Sequence, residues 1–260
     1  DFKDLVIKLN SAYQENKKIK LIAPSEVMEV IQDDTTTYQH EKQYVLKYKS
    51  NKSLFKISAD LIVACDGAES FVRQELGFAV QRKDFHQSAV VANLQLKREH
   101  GETAYERFLT GGVLAMLPLG KQAEINHSKY GEYSEHKVAS IWVGSKASSK
   151  QRMQLSEQDY LASIQSHFGY RLGRFVKLGA RHIYPLSLIY AERSYKGNVL
   201  LMGNAAHFLH PVSGQGFNLS LRDIATLDEL LSQKASIPVV LENYERMRSS
   251  DQKRTIHLTG

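Results

Sequence analysis

The 260 residues contain one cysteine, Cys65, which excludes an internal disulfide framework and any multi-cysteine zinc site. It fits a reducing compartment, with the cytosol as the default. No stretch approaches the ~20 consecutive apolar residues of a membrane span, and no signal-peptide pattern opens the chain. The phosphate-cradling GxxxxGK[ST] does not occur, nor does GxGxxG: the one G-x-G is Gly214-Gln215-Gly216, and position 219 is leucine. There is no G-x-S-x-G elbow and no Ser-His-Asp pattern. A chain without a persuasive nucleophile points to a cofactor that carries the chemistry while the protein positions it.

The composition is that of an ordinary globular protein, 42% hydrophobic and 24% charged. The formal net charge is +6, but lysine and arginine are scattered among acidic residues. That pattern argues for a solvated basic surface, with attraction to anionic membranes or an anionic cofactor as the other reading, and against nucleic acid. The sequence opens at Asp1 inside a helical pattern and stops inside a charged helical pattern, so these residues are expected to belong to a longer protein.

Hydrophobic periodicity organises the chain. Residues 4–16 read as an amphipathic helix, followed by strands at IKLIAP, SEVMEVIQ and KQYVLKYKS. Leu61-Ile62-Val63-Ala64 reads as a strand buried on both faces, ending in Asp66-Gly67 before a short helix. Between 86 and 144, QSAVVANLQL, YERFL, VLAMLPL and KVASIWVG read as an antiparallel sheet. Ser156 is the expected N-cap of a helix over SEQDYLASIQSHFG, and HIYPLSLIYAE returns as a strand. Val199–Met202 is a second buried strand running into GNAAHFLHPVSGQGFN. From Gly214 a helix extends to about Ser232, with Phe217, Leu221, Ile224, Leu227 and Leu231 as its apolar face, and Pro238 opens a last helix. The expected organisation is an α/β domain in two pieces, 1–85 and 191–260, with a β-rich insert at 86–190.

Both apolar strands end in loops that place a polar residue beside glycine, and ligands of open α/β sheets sit beyond the carboxyl ends of the strands. Gly214 and Gly216 flank Gln215 where a helix begins. They suit close backbone approach to a ligand, and the free N–H groups of a first helical turn favour negative charge. A plain structural turn explains the same glycines. Asp66 is open to two readings as well, a ligand contact or a helix cap with Glu69 as capping-box partner. His207 and His210 invite a metal reading, but Pro211 follows and no nearby carboxylate or thiol completes a set.

The stretches VACDGAESFVRQELG and NVLLMGNAAHFLHPVSGQGFNLSLRDIATLDELL closely resemble the FAD-dependent aromatic hydroxylases of the p-hydroxybenzoate hydroxylase type. That family carries an N-terminal GxGxxG, a central D-G motif and a late GDAAH-x3-P-x2-G-x-G-x-N motif; the second and third are present here in order. The resemblance implies a partial FAD-binding α/β fold with a β-rich substrate domain inserted. Without the βαβ unit that bears GxGxxG, residues 1–260 by themselves are expected to bind FAD poorly, and a preparation carrying stoichiometric FAD would overturn this.

By the same resemblance, Asp66 and Gly67 lie beside the dinucleotide and shape the nicotinamide path, and Gly203 and Asn204 stand near the ribityl chain. Pro211 borders the flavin ring, while Gly214, Gln215, Gly216, Phe217 and Asn218 line its pyrimidine end. Asn204 stands where the family has aspartate, giving GNAAH. That variant, with AYERFLTGGVLAMLPL, resembles the branch that hydroxylates 2-polyprenyl-6-methoxyphenols in ubiquinone biosynthesis. The implied chemistry uses FAD, NAD(P)H as reductant and O2 through a C4a-hydroperoxide, with no protein nucleophile. The implied partners are a polyprenylated phenol and other ubiquinone-biosynthesis proteins at the membrane surface, placing a cytoplasmic protein at the periphery of the inner membrane. Other readings are a monooxygenase of a soluble aromatic substrate, a flavin halogenase or prenyl-group reductase, and a non-catalytic module that keeps the fold. The halogenase W-x-W-x-I-P motif is absent, since the one tryptophan, Trp142, sits in IWVGSK.

Overall fold

A computed structural model describes residues 2–33, 43–120, 136–210 and 214–259. Along the chain run α1 (Phe2–Glu15), β1 (Glu26–Asp33), β2 (Gln43–Ser50), β3 (Ser53–Ala59), β4 (Ile62–Ala64) and α2 (Phe71–Glu75). There follow β5 (Val80–Leu96), β6 (Tyr105–Leu109), β7 (Gly112–Pro118), β8 (Lys137–Ser145), α3 (Lys146–Gln154), α4 (Glu157–Phe168) and β9 (Phe175–Ala191). The last elements are β10 (Tyr195–Lys196), β11 (Val199–Leu201), a 3-10 turn (Gly203–Ala205), β12 (His207–Phe208), α5 (Gln215–Ser232) and α6 (Ile237–Thr259). The chain divides into two compact units, a β-rich one over Asp84–Leu186 and an α/β one made of Phe2–Lys83 and Ser187–Gly260.

In the β-rich unit the strands lie in the order β9–β5–β8–β7–β6, and β5–β8, β7–β8 and β6–β7 pair antiparallel. Alternation does the work here. Inward residues Val90, Leu94, Leu114, Met116, Val138 and Trp142 form one buried cluster with Tyr160, Ile164 and Phe168 of α4. Helix α4 begins where the Ser156 hydroxyl accepts from the Asp159 N–H, as the sequence predicts. Helix α3, absent from the expectations, has no apolar stripe to betray it; the Ser145 side chain caps it by accepting from the Ser148 N–H.

In the α/β unit, β1, β2 and β3 form an antiparallel sheet in that order. Strand β3 was not among the expected strands. It is joined to β2 by Asn51 and Lys52, both at positive φ (48° and 68°), the geometry of a tight two-residue hairpin. The expected strand at IKLIAP does not form. Ile19 and Leu21 are exposed, Pro24 has no N–H to donate, and no described segment pairs with it.

A separate three-stranded sheet of order β10–β11–β4 positions the candidate site. Strand β11 runs parallel to β4, with Val199 opposite Ile62 and Leu201 opposite Ala64. Strand β11 is buried throughout. Strand β4 is not buried on both faces as expected: it is the edge strand of that sheet, and Val63 is 37% exposed while Ile62 and Ala64 are buried.

The apolar face expected for α5 is likewise corrected. Its buried residues are Leu219, Asp223, Leu227 and Leu230, whereas Phe217, Leu221, Ile224 and Leu231 are exposed. The helix carries two stripes. Leu227 and Leu230 pack with Leu200, Met202, Val240, Leu241 and Tyr244. That packing chooses the stripe containing a carboxylate, whose charge is met by α6.

Candidate functional site

Because β4 and β11 are parallel neighbours in register, their carboxyl ends lie side by side. The Met202 N–H donates to the Ala64 carbonyl at 3.0 Å. Beyond that bond the two backbones diverge into the segments singled out from sequence, Asp66-Gly67 after β4 and Gly203-Asn204 after β11. The structure thus brings these two pairs, 137 positions apart, to one end of one sheet.

Each loop is held by named contacts. Asp66 Oδ2 accepts from the Val72 N–H at 3.1 Å, so this carboxylate steadies the start of α2. It is not the cap residue itself: Ser70 is, accepting from the Arg73 N–H at 3.0 Å. Glu69 closes no capping box and pairs instead with Arg82 at 2.7 Å. Gly67 takes φ +94°, a conformation an L side chain rarely adopts.

Sequence reasoning missed the residue that ties the two loops together. Arg73 is 1% exposed. Its Nη1 donates to the Ala205 carbonyl at 2.8 Å and its Nη2 to the Ala68 carbonyl at 2.6 Å. Burial pushes the pKa of this guanidinium down, with the nearby Arg82 charge adding to the effect. In the sequence Arg73 is one basic residue of a short helix, and nothing local distinguishes it.

The 3-10 turn packs against the amino-terminal part of α5, and a Cβ placed on Gly203 would lie 3.6 Å from Ser220 Oγ. Gly214 caps α5 in the left-handed region, φ +59°. Having no side chain, it leaves the N–H groups of the first turn without a side-chain acceptor at that position, and the first turn carries no acidic residue. Gln215, Gly216, Phe217 and Asn218 form that turn. Pro211 lies outside the described residues.

Behind the turn sits a second feature not anticipated from sequence, a buried polar network. His207 Nε2 donates to Asp223 Oδ2 at 2.6 Å, and Arg248 Nε and Gln252 Nε2 donate to Asp223 Oδ1 at 2.7 and 3.1 Å. Arg248 Nη2 continues to Asp251 at 2.6 Å, which also meets Arg222. His207 and Asp223 are both buried. Burial pushes the Asp223 carboxyl up, and the His207 and Arg248 hydrogen bonds and charges outweigh it, leaving the carboxyl below its ordinary range. The His207 ring is thereby committed to a carboxylate. Among the described residues its Nδ1 has no partner, and no group of three His, Cys, Asp or Glu residues could hold a metal ion.

A ligand with an anionic edge fits what is present. Ideal Cβ atoms on Gly67, Gly214 and Gly216 would meet no described atom within 4 Å, so the backbone is open there to close approach. The uncapped start of α5 offers N–H groups and a positive dipole end to an anionic ligand edge. Paired parallel strand ends with such a helix start define a nucleotide-binding α/β protein.

The FAD binding domain family matches residues 15–259; the chain belongs to this family, and FAD is its cofactor. The chain is 30% identical to the 3-demethoxyubiquinol 3-hydroxylase of Escherichia coli over 221 residues, covering 82% of this chain and 52% of the relative. It is also 30% identical to the ubiquinone hydroxylase UbiL of Rhodospirillum rubrum over 210 residues, covering 78% and 46%. It therefore spans about half the length of these relatives. Among solved structures, pqsL, a probable FAD-dependent monooxygenase from Pseudomonas aeruginosa, superposes with a TM-score of 0.72 at 17% identity, covering 97% of this chain and 66% of that one. That likeness is one of fold.

Proposed function

We propose that the protein to which these residues belong is a flavoprotein monooxygenase that hydroxylates the ring of a polyprenylated phenol in ubiquinone biosynthesis. The observation that carries this reading is the meeting of the Asp66-Gly67 and Gly203-Asn204 loops at adjacent parallel strand ends, in a chain whose relatives include ubiquinone hydroxylases. FAD, reduced by NAD(P)H, supplies the oxygen-activating redox chemistry.

The residues of this chain bind and orient. Gly203 and Asn204 would hold the ribityl side, where Asn204 offers both a donor and an acceptor without the charge of an aspartate. The backbone of Gly214, Gln215, Gly216, Phe217 and Asn218 would face the pyrimidine edge. The dipole and free N–H groups of α5 favour negative charge at that edge. Asp66 and Gly67 would keep the β4 loop in place beside the dinucleotide, and the His207–Asp223–Arg248 network fixes the middle of α5 against α6. No side chain of the chain acts as a nucleophile in this scheme.

The described residues include no helix long and apolar enough to cross a membrane. A polyprenyl substrate resides in lipid, since each CH2 favours it by ~0.8 kcal/mol. The enzyme then works at the bilayer surface, where a net charge of +6 favours anionic lipid.

Two measurements test this. In the full-length protein, Gly216→Val is expected to lower flavin content or reduction rate while the fold survives, because the new side chain meets open space within the protein. Normal flavin content and turnover in that variant would show the assigned geometry to be wrong. Deleting the gene in its host is expected to abolish ubiquinone and accumulate a polyprenylated methoxyphenol lacking one ring hydroxyl. Normal ubiquinone, with no backup enzyme present, would favour a soluble aromatic substrate.

A further inference from the structure

The β-rich unit contains a half-open cavity of about 460 Å³ that takes no residue from the other unit. Its walls include Gly111 and Gly112 of the β6–β7 turn, Trp142 and Gly144 of β8, Arg152 of α3 and His167 of α4. Two donors of these walls are buried and lack a partner among the described residues, Trp142 Nε1 and Arg152 Nη1. The indole is 1% exposed. The guanidinium lies 4.0 Å over the indole ring, so the two orphan groups belong to one stacked pair.

Arg152 sits where it does because Gly144 has no side chain. A Cβ there would come within 2.7 Å of Nη1 and 2.8 Å of Ser148 Oγ. Among the described residues no carboxylate pairs with Arg152. The nearby groups that face it are Tyr160, which lies under the Arg181 guanidinium, and Arg181 itself, which donates to the Arg152 carbonyl at 2.6 Å. Arg152 and His167 are the basic residues of the cavity walls.

Burying a donor without a partner destabilises the protein, and more so when the group is charged. Neither donor atom has accessible surface of its own, so a small shift of the stacked pair toward the cavity would let one acceptor that bears negative charge satisfy both. An indole N–H can only donate, and a guanidinium fork matches the paired oxygens of carboxylate or phosphate. The volume falls in the range of small-molecule pockets, roughly 300–1,000 Å³.

We propose that this cavity is a second ligand site, specific for the oxyanion group of a small molecule, with Arg152 and Trp142 Nε1 as its donors. It is independent of the flavin reading and uses none of the strand-end loops.

The test is calorimetric titration of the full-length protein, saturated with FAD so that the flavin site does not compete. Inorganic phosphate, pyrophosphate and benzoate are used as separate probes at constant ionic strength. At least one is expected to bind. Arg152→Gln and Trp142→Phe are each expected to weaken that binding about tenfold or more, the loss of one charge-assisted or one buried hydrogen bond. Arg152→Lys, which keeps charge without the fork, falls between, and Gly144→Ala weakens binding by displacing the guanidinium. Thermal melts of each variant verify folding, and Trp142→Phe, which keeps an aromatic ring at the site while removing the N–H, serves if Arg152→Gln does not fold. Binding of phosphate or pyrophosphate alone assigns a phosphate ligand, and binding of benzoate alone a carboxylate. Absence of binding by all three, or binding that survives both Arg152→Lys and Trp142→Phe unchanged, overturns the proposal.

Discussion

Replacing Asp223 by alanine is expected to destabilise the protein by about 3–5 kcal/mol, the cost of leaving a buried cation without its partner. Asp223 is fully buried and receives hydrogen bonds from His207, Arg248 and Gln252. Its removal strands His207 Nε2, Arg248 Nε and Gln252 Nε2 at once, while Arg248 Nη2 keeps Asp251. Asp223→Asn keeps the volume and separates charge from shape, and it is expected to lose less than alanine. The effect also has a pH signature. The folded carboxyl lies below its ordinary value, so the unfolded chain binds more protons than the folded one in acid. The stabilisation is therefore present above the unfolded carboxyl pKa of about 3.9 and is lost as pH falls through the folded value. Denaturant unfolding from pH 7 to pH 3 is expected to show the gap between wild type and Asp223→Asn closing in that acid window. A gap that stays constant with pH would show that the carboxylate contributes by packing alone.

The second large effect is expected at Arg73. Its guanidinium closes the Ala68 and Ala205 carbonyls across the two strand-end loops. Arg73→Met keeps much of the apolar stem and removes both bonds. Hydrogen bonds to charged groups contribute about 1.5–3 kcal/mol each, so a loss of about 3 kcal/mol is expected. At this chain length that lowers the melting temperature by roughly 6–12 °C. Because these carbonyls belong to the loops proposed to flank the dinucleotide, flavin retention in the full-length protein is expected to fall with it. Arg73→Lys, a point charge without a fork, restores at most one of the two contacts. A melt and a flavin content both unchanged in Arg73→Met would show that the loops hold their positions without the bridge.

These two residues also show where reading the sequence stops. Ser156 was legible as a cap because its partner is three residues away. The strands of the β-rich unit were legible because alternation of apolar residues is a local pattern. The Asp66-Gly67 and Gly203-Asn204 loops were recognisable by residue type after short apolar runs. Arg73, by contrast, acts on a carbonyl 132 positions away, and Asp223 draws on residues 16, 25 and 29 positions distant.

Helix α5 makes the distinction sharpest. Its periodicity determined by itself that a helix runs from the Gly214 region to Ser232, and also that it bears an apolar stripe at Phe217, Leu221, Ile224, Leu227 and Leu231, of which Leu227 alone is buried. Which stripe faces inward was decided by α6, which offers Arg248 and Gln252 to Asp223 beside Leu241 and Tyr244. A buried carboxylate is tolerated only when distant donors meet it, and no local pattern records that they will. In the same way the residues of β4 and β11 announced two strands and two loops. Only the parallel pairing of Ile62 with Val199 made those loops one site, because adjacency between distant segments is a property of the sheet and not of either strand.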